Sequence, residues 1–368
     1  MFTYQLSHFH FDQLGKLIRE GLPRGAAMLS RLLGPIFTNH IVLSVAAVAG
    51  MSAISVQSNL KFLVGAPAWG ISGAVLMMSA LHLASKNLIG LGKMMKQALG
   101  YVLVIICPIA LILIFGSSLL AEIYIDTPGE IRTMAAHAIA WYGAALPFTA
   151  INFIISNYMD GIGRKKGAYL WNALNEFIGI VICMYLCGKL FGTEGLWASY
   201  LVEQLLLIAA YLLYGMLYPS PHKGIRKWLL LKKDQVASPE NVFAFDVRDL
   251  KDVTRYSEKL HAFALDRGLP AKRSYHLALC FEERAKNIIE HGFGPDQANR
   301  LEVRVLIENA RVSLQLTDNC SQFNFKQFAE NMTNNATEQN IGTKIIMHTA
   351  KDIIYSNTMN ANNLTIVM

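Results

Sequence analysis

The stretch LWASYLVEQLLLIAAYLLYGMLY, Leu196–Tyr218, is followed at once by Pro219-Ser220-Pro221, and that junction decides how the chain is read. Its 23 residues contain one ionisable group, Glu203, and are long enough to cross the ~30 Å of hydrocarbon in a bilayer, which takes about 20 apolar residues. Proline disfavours continuation of the helix, so the run ends where the prolines begin. Charge is sparse before Tyr218 and dense after it, and the two sides belong to different solvents.

Working back from that run, apolar stretches recur at about Pro23–Ala46, Ala53–Ala84, Ala98–Ala121, Met134–Tyr158 and Ala168–Leu190. With Leu196–Tyr218 they make six expected spans. Lys61, Gly65 and Pro67 predict a break inside the second. The 368 residues are 53% hydrophobic and 16% charged, below the roughly 25% charge of soluble domains; mean hydropathy is +0.32. The net charge of +7 sits largely in short loops beside apolar runs, a membrane-orientation pattern and not a nucleic-acid one. Lys16, Arg19 and Arg24 precede the first span, Lys86, Lys93 and Lys96 follow the second, Arg164, Lys165 and Lys166 follow the fourth, and Lys223, Arg226, Lys227, Lys232 and Lys233 follow the sixth. The alternate loops are poor in base. The expectation is a multi-pass protein of the cell membrane with both termini cytoplasmic. Met1 to Asp12 is aromatic and His-bearing, unlike a cleavable signal. The five cysteines have no metal-ligand spacing and read as free thiols.

Ionisable and amide side chains inside spans are costly and mark either a pathway or helix–helix hydrogen bonding. Asn172, Asn175 and Glu176 in the fifth span, and Glu203 in the sixth, are the transport-pathway candidates. Glu176 stands out as a mid-helix carboxylate flanked by amides. Glu203 and Gln204 fit an interhelical clamp equally well.

Gly21-Leu22-Pro23, Leu146-Pro147-Phe148, the turn Asn157-Tyr158-Met159-Asp160-Gly161-Ile162-Gly163-Arg164 and the turn Phe191-Gly192-Thr193-Glu194-Gly195-Leu196-Trp197 resemble, in order and spacing, the second, C-terminal six-helix lobe of the multidrug and toxic compound extrusion (MATE) transporters. The resemblance covers about Phe9–Tyr218. It implies cation-coupled antiport, with Na⁺ or H⁺ as coupling ion. It also implies a partner for the lobe, since alternating access takes two lobes around a cavity. Either a missing segment or another chain would supply the second. The family's Gly-x-x-(Asp/Glu)-Asp after the second helix is replaced here by Ala84-Ser85-Lys86-Asn87.

Beyond the prolines, Trp228-Leu229-Leu230-Leu231-Lys232-Lys233 reads either as an interfacial segment, with its aromatic at headgroup depth, or as a basic linker. From about Pro239 the periodicity changes. Strands are expected at Asn241–Phe245, Leu301–Ile307, Arg311–Thr317, Ile353–Asn357 and Asn363–Met368. Helices are expected at Asp249–Arg267, Arg273–His291 and Gly342–Ala350, and a polar loop at Ser321–Asn340. In the Asp249–Arg267 helix, Leu250, Val253, Tyr256, Leu260 and Phe263 mark the inward face. The result is an α/β two-layer sandwich of about 130 residues. The chain therefore divides into residues 1–219, an all-α transmembrane bundle; 220–238, a basic linker; and 239–368, a cytoplasmic module.

Within that module Glu283-x-x-x-Asn287, then Asp318-Asn319-Cys320-Ser321-Gln322-Phe323, then Gly342 followed by Asp352-Ile353-Ile354-Tyr355, resemble the three boxes of the GHKL-type ATP-binding domain, in its anti-sigma-factor serine kinase branch. The resemblance implies ATP with Mg²⁺. Asn287 would offer an oxygen to the metal, Glu283 would act as the catalytic base, Asp318 would accept the adenine amino group and the backbone at Gly342 would take phosphate. Cys320 replaces the family's glycine, and the third box keeps one glycine, so phosphate enclosure and catalysis are weakened. Two functions follow. One is a transporter lobe with a regulatory ATP-binding domain. The other is a membrane-anchored serine kinase acting on a serine-bearing regulatory protein.

Overall fold

The computed structural model describes residues 11–126, 128–219, 224–232, 235–294, 299–321, 348–358 and 361–368; of these, side chains are described at Gly25 and from residue 28 onward, residues 224–226 and 358 excepted. The chain forms two compact units, Met1–Ala84 with Leu88–Lys233, and Ser85–Asn87 with Asp234–Met368.

The first unit is helical throughout. Its elements are α1 (Phe11–Ala84), α2 (Leu88–Tyr101), a π turn (Val102–Ile106), α3 (Cys107–Phe115), α4 (Ser117–Tyr124), α5 (Glu130–Gly161), α6 (Lys165–Ala173), a second π turn (Leu174–Ile178), and α7 (Gly179–Leu217). Among the described residues, four stretches are long and apolar enough to cross a membrane: Met28–Ala84, Leu88–Phe115, Glu130–Gly161 and Lys165–Leu217. The first and last are too long for one crossing, and each is divided at one residue off helical geometry, Ala47 and Gly192. Six helical segments result. The division at Ala47 (φ 51°) lies at the expected boundary between the first two spans, whereas the further break expected near Lys61, Gly65 and Pro67 is corrected: that stretch is continuous helix. Proline removes one N–H donor without forcing a break, and Lys61 keeps its ammonium over the Tyr200 ring, 5.6 Å from its centre.

Helix α5 is the buried axis of this unit, with Ala135, Ile139, Tyr142, Leu146, Ala150, Ile154 and Tyr158 all inside. The turn at Gly192 is fastened to it, because Glu194 accepts from Trp141 Nε1 at 3.0 Å and pairs with His137. Two glycines of the 157–164 motif close α5. Gly163 adopts φ 79°, which a side chain would strain, and this brings the Arg164 N–H back to Met159 O at 2.8 Å.

Among the described residues, the second unit is a five-stranded antiparallel sheet with the α-helices α8 (Leu250–Asp266) and α9 (Ala271–Gly292). Strands β1 (Val242–Val247), β2 (Leu301–Glu308), β3 (Arg311–Asp318), β4 (Asp352–Thr358) and β5 (Ala361–Val367) lie in the order β1-β2-β3-β5-β4. Helices α8 and α9 separate β1 from β2. Val303, Val305, Val312, Leu314, Leu316, Leu364 and Ile366 meet Val253, Leu260, Leu277 and Phe281 in one core. Strict alternation in β3 and β5 keeps one face apolar. Asp249 caps α8, accepting from the Asp252 N–H at 2.9 Å. Leu250, expected on the inward face of α8, is 45% exposed in its first turn. The expected 342–350 helix lies, apart from His348–Ala350, outside the described residues.

Candidate functional sites

In the helical unit, polar side chains from α5, α6, its π turn and α7 converge. Gln204 is 4% exposed and is the hub. Its backbone O and its Oε1 accept from Asn152 Nδ2 at 3.1 and 2.7 Å, and its Nε2 donates to Asn175 Oδ1 and Glu203 Oε2, both at 2.8 Å. Glu203 is 2% exposed, and its Oε1 has no hydrogen-bond partner among the described residues. The same holds for both amide atoms of Gln57, which is 1% exposed. Orphaned polar atoms in an apolar surround are expensive, about 1–3 kcal/mol each.

Asn175 and Glu203 thus join through Gln204. Asn172 belongs to a separate contact, accepting from Ser156 Oγ at 2.9 Å. Glu176 sits in the π turn with Oε1 3.5 Å from Arg31 Nε. Single π turns inside α-helices are frequent at functional sites. Asn152 lies 52 positions before Gln204, and nothing in that spacing shows that the two meet.

On the exposed side of α1, Ser55, Ser58 and Asn59 lie beside Phe62, whose ring meets Trp69 edge-on at 5.6 Å. Such a polar face is poorly suited to lipid.

In the sheet unit, Glu283 and Asn287 stand one turn apart on α9, both partly buried. Asp318 ends β3 and is 8% exposed. Its Oδ1 accepts from the Cys320 N–H at 3.0 Å and from Asn362 Nδ2 at 2.8 Å. Asn362 is in turn held through Oδ1 by Tyr355 Oη at 2.7 Å and Asn357 Nδ2 at 2.8 Å. The carboxylate is aimed by three strands, β3, β4 and β5. Two named donors leave acceptor capacity on it. Arg284, 5% exposed, also feels this carboxylate. Burial lowers its guanidinium pKa to about 10, and the Asp318 charge opposes that shift.

Cys320 packs its thiol onto Gly292 at the end of α9, where a Cβ would lie 2.9 Å from Sγ. The side chain that replaces a family glycine is therefore absorbed by a second glycine. Burial and the neighbouring Asp318 raise the thiol to about 12. Gly342 lies outside the described residues. Among the described residues no cluster of three His, Cys, Asp or Glu side chains could hold a metal ion. Asn287 is a single donor, fitting a metal whose other ligands arrive with phosphates.

Residues 23–185 match the family model MatE, and residues 247–368 match the Histidine kinase-like ATPase domain. The chain is a fusion of these two domains. The MatE half resembles solved structures in fold. The inward-facing form of a multidrug resistance MATE family transporter of the MOP superfamily superposes with a TM-score of 0.53 at 16% identity, covering 57% of this chain and 48% of that one. A MOP superfamily transporter from Pyrococcus furiosus gives 0.51 at 16% identity, with 58% and 48% covered. A mutant of the Vibrio cholerae MATE transporter VcmN gives 0.50 at 22% identity, with 61% and 51% covered. The chain spans about half the length of the solved transporters it matches. No curated protein matches it.

Proposed function

We propose that the MatE half is one lobe of a cation-coupled antiporter or efflux transporter and that the ATPase-like half regulates it. The observation that carries this is the buried Asn152–Gln204–Asn175–Glu203 network, with one Glu203 carboxylate oxygen left unpaired among the described residues. In a largely apolar interior, such a carboxylate oxygen is a natural place for Na⁺ or a proton. The serine-rich exposed face of α1 supports a second lobe, from a further segment or another chain, closing a polar cavity against it. The lipid bilayer is the other partner, and the distribution of Lys and Arg supports a cell-membrane location with both termini in the cytoplasm.

The ATPase-like half would take ATP with Mg²⁺. Asn287 and the backbone at Gly342 would hold the metal and phosphates, Asp318 would hold adenine, and Glu283 would be the base if phosphate is transferred to a serine-bearing partner. The residues present fit this group at Asp318 and Asn287. When bound, it supplies a transferable phosphoryl group, or a ligand whose presence alone alters the lobe.

Glu203→Gln in the assembled transporter, in cells lacking other efflux pumps, tests the pathway. Drug efflux is expected to fall to background with membrane insertion unchanged, and Glu176→Gln, which loses only a partly exposed ion pair, is expected to do less. Full efflux in Glu203→Gln would reduce the network to helix packing.

A further inference from the structure

The segment after α7 does not lie as a free linker. Three successive carbonyls, those of Trp228, Leu229 and Leu230, each accept a hydrogen bond from a different side chain of the helical unit. Tyr211 Oη donates to Trp228 O at 2.7 Å, Tyr158 Oη to Leu229 O at 2.7 Å, and Arg164 Nη2 to Leu230 O at 2.5 Å. Leu230 and Leu231 are fully buried, and the Trp228 ring lies so close to Gly215 that a Cβ there would fall 2.5 Å from it. Leu230 takes φ 52°, an uncommon conformation for a side chain of this size, which the surrounding contacts hold in place. Lys227 Nζ reaches back to Met216 O at 2.7 Å.

We propose that Gly224–Leu231 is a docked strap, anchored by Arg164 of the α5–α6 turn, that shortens the tether of the ATPase-like domain and couples it to that end of the bundle. Arg164 is well made for the task. Its Nη1 also donates to Tyr214 Oη at 3.1 Å, and its guanidinium covers the Tyr218 ring at 4.4 Å, so one side chain grips the turn, the end of α7 and the strap together. With the strap docked, Lys232 and Lys233 separate Leu231 from the second unit at Asp234; released, residues 219–233 separate Tyr218 from it. For a flexible chain the volume explored grows as length to the three-halves power, so release dilutes the domain at the bundle on the order of tenfold. Whatever pulls on the chain after Lys233 therefore acts on the α5–α6 turn only while the strap holds. This rests on the docked geometry alone and not on nucleotide binding.

The test uses the full chain in lipid nanodiscs, as wild type, Arg164→Ala and Gly215→Ala. The second substitution wedges a methyl group against Trp228 and leaves Arg164 intact. Amide exchange over residues 224–232 should be protected in the wild type and approach the unprotected rate in both variants. Lysine cross-linking between Lys165 or Lys166 and lysines of the ATPase-like domain should fall on the order of tenfold in both. An unprotected strap in the wild type, a strap that stays protected in both variants, or equal cross-linking yields after release would each overturn the proposal. Unchanged circular dichroism shows that the variants have folded.

Discussion

Cys320 is where a single residue says most about the ATPase-like domain. A thiol at this turn would crowd a ligand if it pointed outward, and the structure turns it onto Gly292. Burial, with Asp318 beside it, holds its pKa at about 12 against an ordinary 9.0. The thiolate is the reactive form, so at pH 8 this thiol should alkylate with iodoacetamide roughly a thousandfold more slowly than an unperturbed exposed cysteine. Mass spectrometry of the labelled chain reads this directly, and rapid labelling at pH 8 would show the thiol facing solvent. The linkage has a definite sign. Because the folded pKa is raised, this group's contribution to stability is complete below about pH 9 and is lost as pH rises towards 12. The sequence could show that Cys320 replaces a glycine. It could not show Gly292 making room for it, because residues 28 positions apart meet only through the fold.

At the scale of elements, the β2–β3 hairpin offers the cleanest test. Asn309 and Ala310 both have positive φ, at 50° and 61°, the signature of a two-residue type I′ turn. Asparagine tolerates this conformation, whereas alanine does not do so readily. Ala310→Gly is expected to stabilise the domain by about 0.5 kcal/mol, the relief of strain exceeding the entropy glycine adds to the unfolded chain. Chemical denaturation followed through the sheet unit measures it, and a loss of stability would contradict the turn assignment. The strands on either side of this turn were legible because alternation has period two and one buried face fixes the register. The six helical segments were legible from run length and composition. The division at Ala47 was legible too, since it falls between the two apolar runs read as separate spans, whereas the break expected at Lys61, Gly65 and Pro67 does not form, because local signal alone overstates what a proline does to a helix. The strap escaped for a related reason. Trp228 and three leucines among lysines suit a membrane interface, and only Tyr158, Arg164 and Tyr211, brought from α5, its closing turn and α7, convert them into a buried contact. The site candidates divide similarly. Glu203 and Asn175 were visible as polar residues in apolar runs, while their joining through Gln204 depends on how α7 packs beside the π turn.

For the whole molecule, the account joins a MatE domain, holding a buried and incompletely paired carboxylate, to a histidine kinase-like ATPase domain whose Asp318 is held ready by three strands. The proposal that ties them is transport driven by a cation gradient and adjusted by nucleotide. The most direct test reconstitutes the full chain, with its partner lobe or as paired copies, in proteoliposomes carrying a Na⁺ or proton gradient, and follows flux of a fluorescent cationic drug with and without MgATP on the side of the ATPase-like domain. The account predicts flux that needs the gradient, persists without nucleotide, changes in rate with MgATP, and loses that response in Asp318→Asn. Absence of gradient-driven flux, together with phosphate transferred from ATP to a serine of a partner protein, would contradict it and identify the helices as the anchor of a kinase.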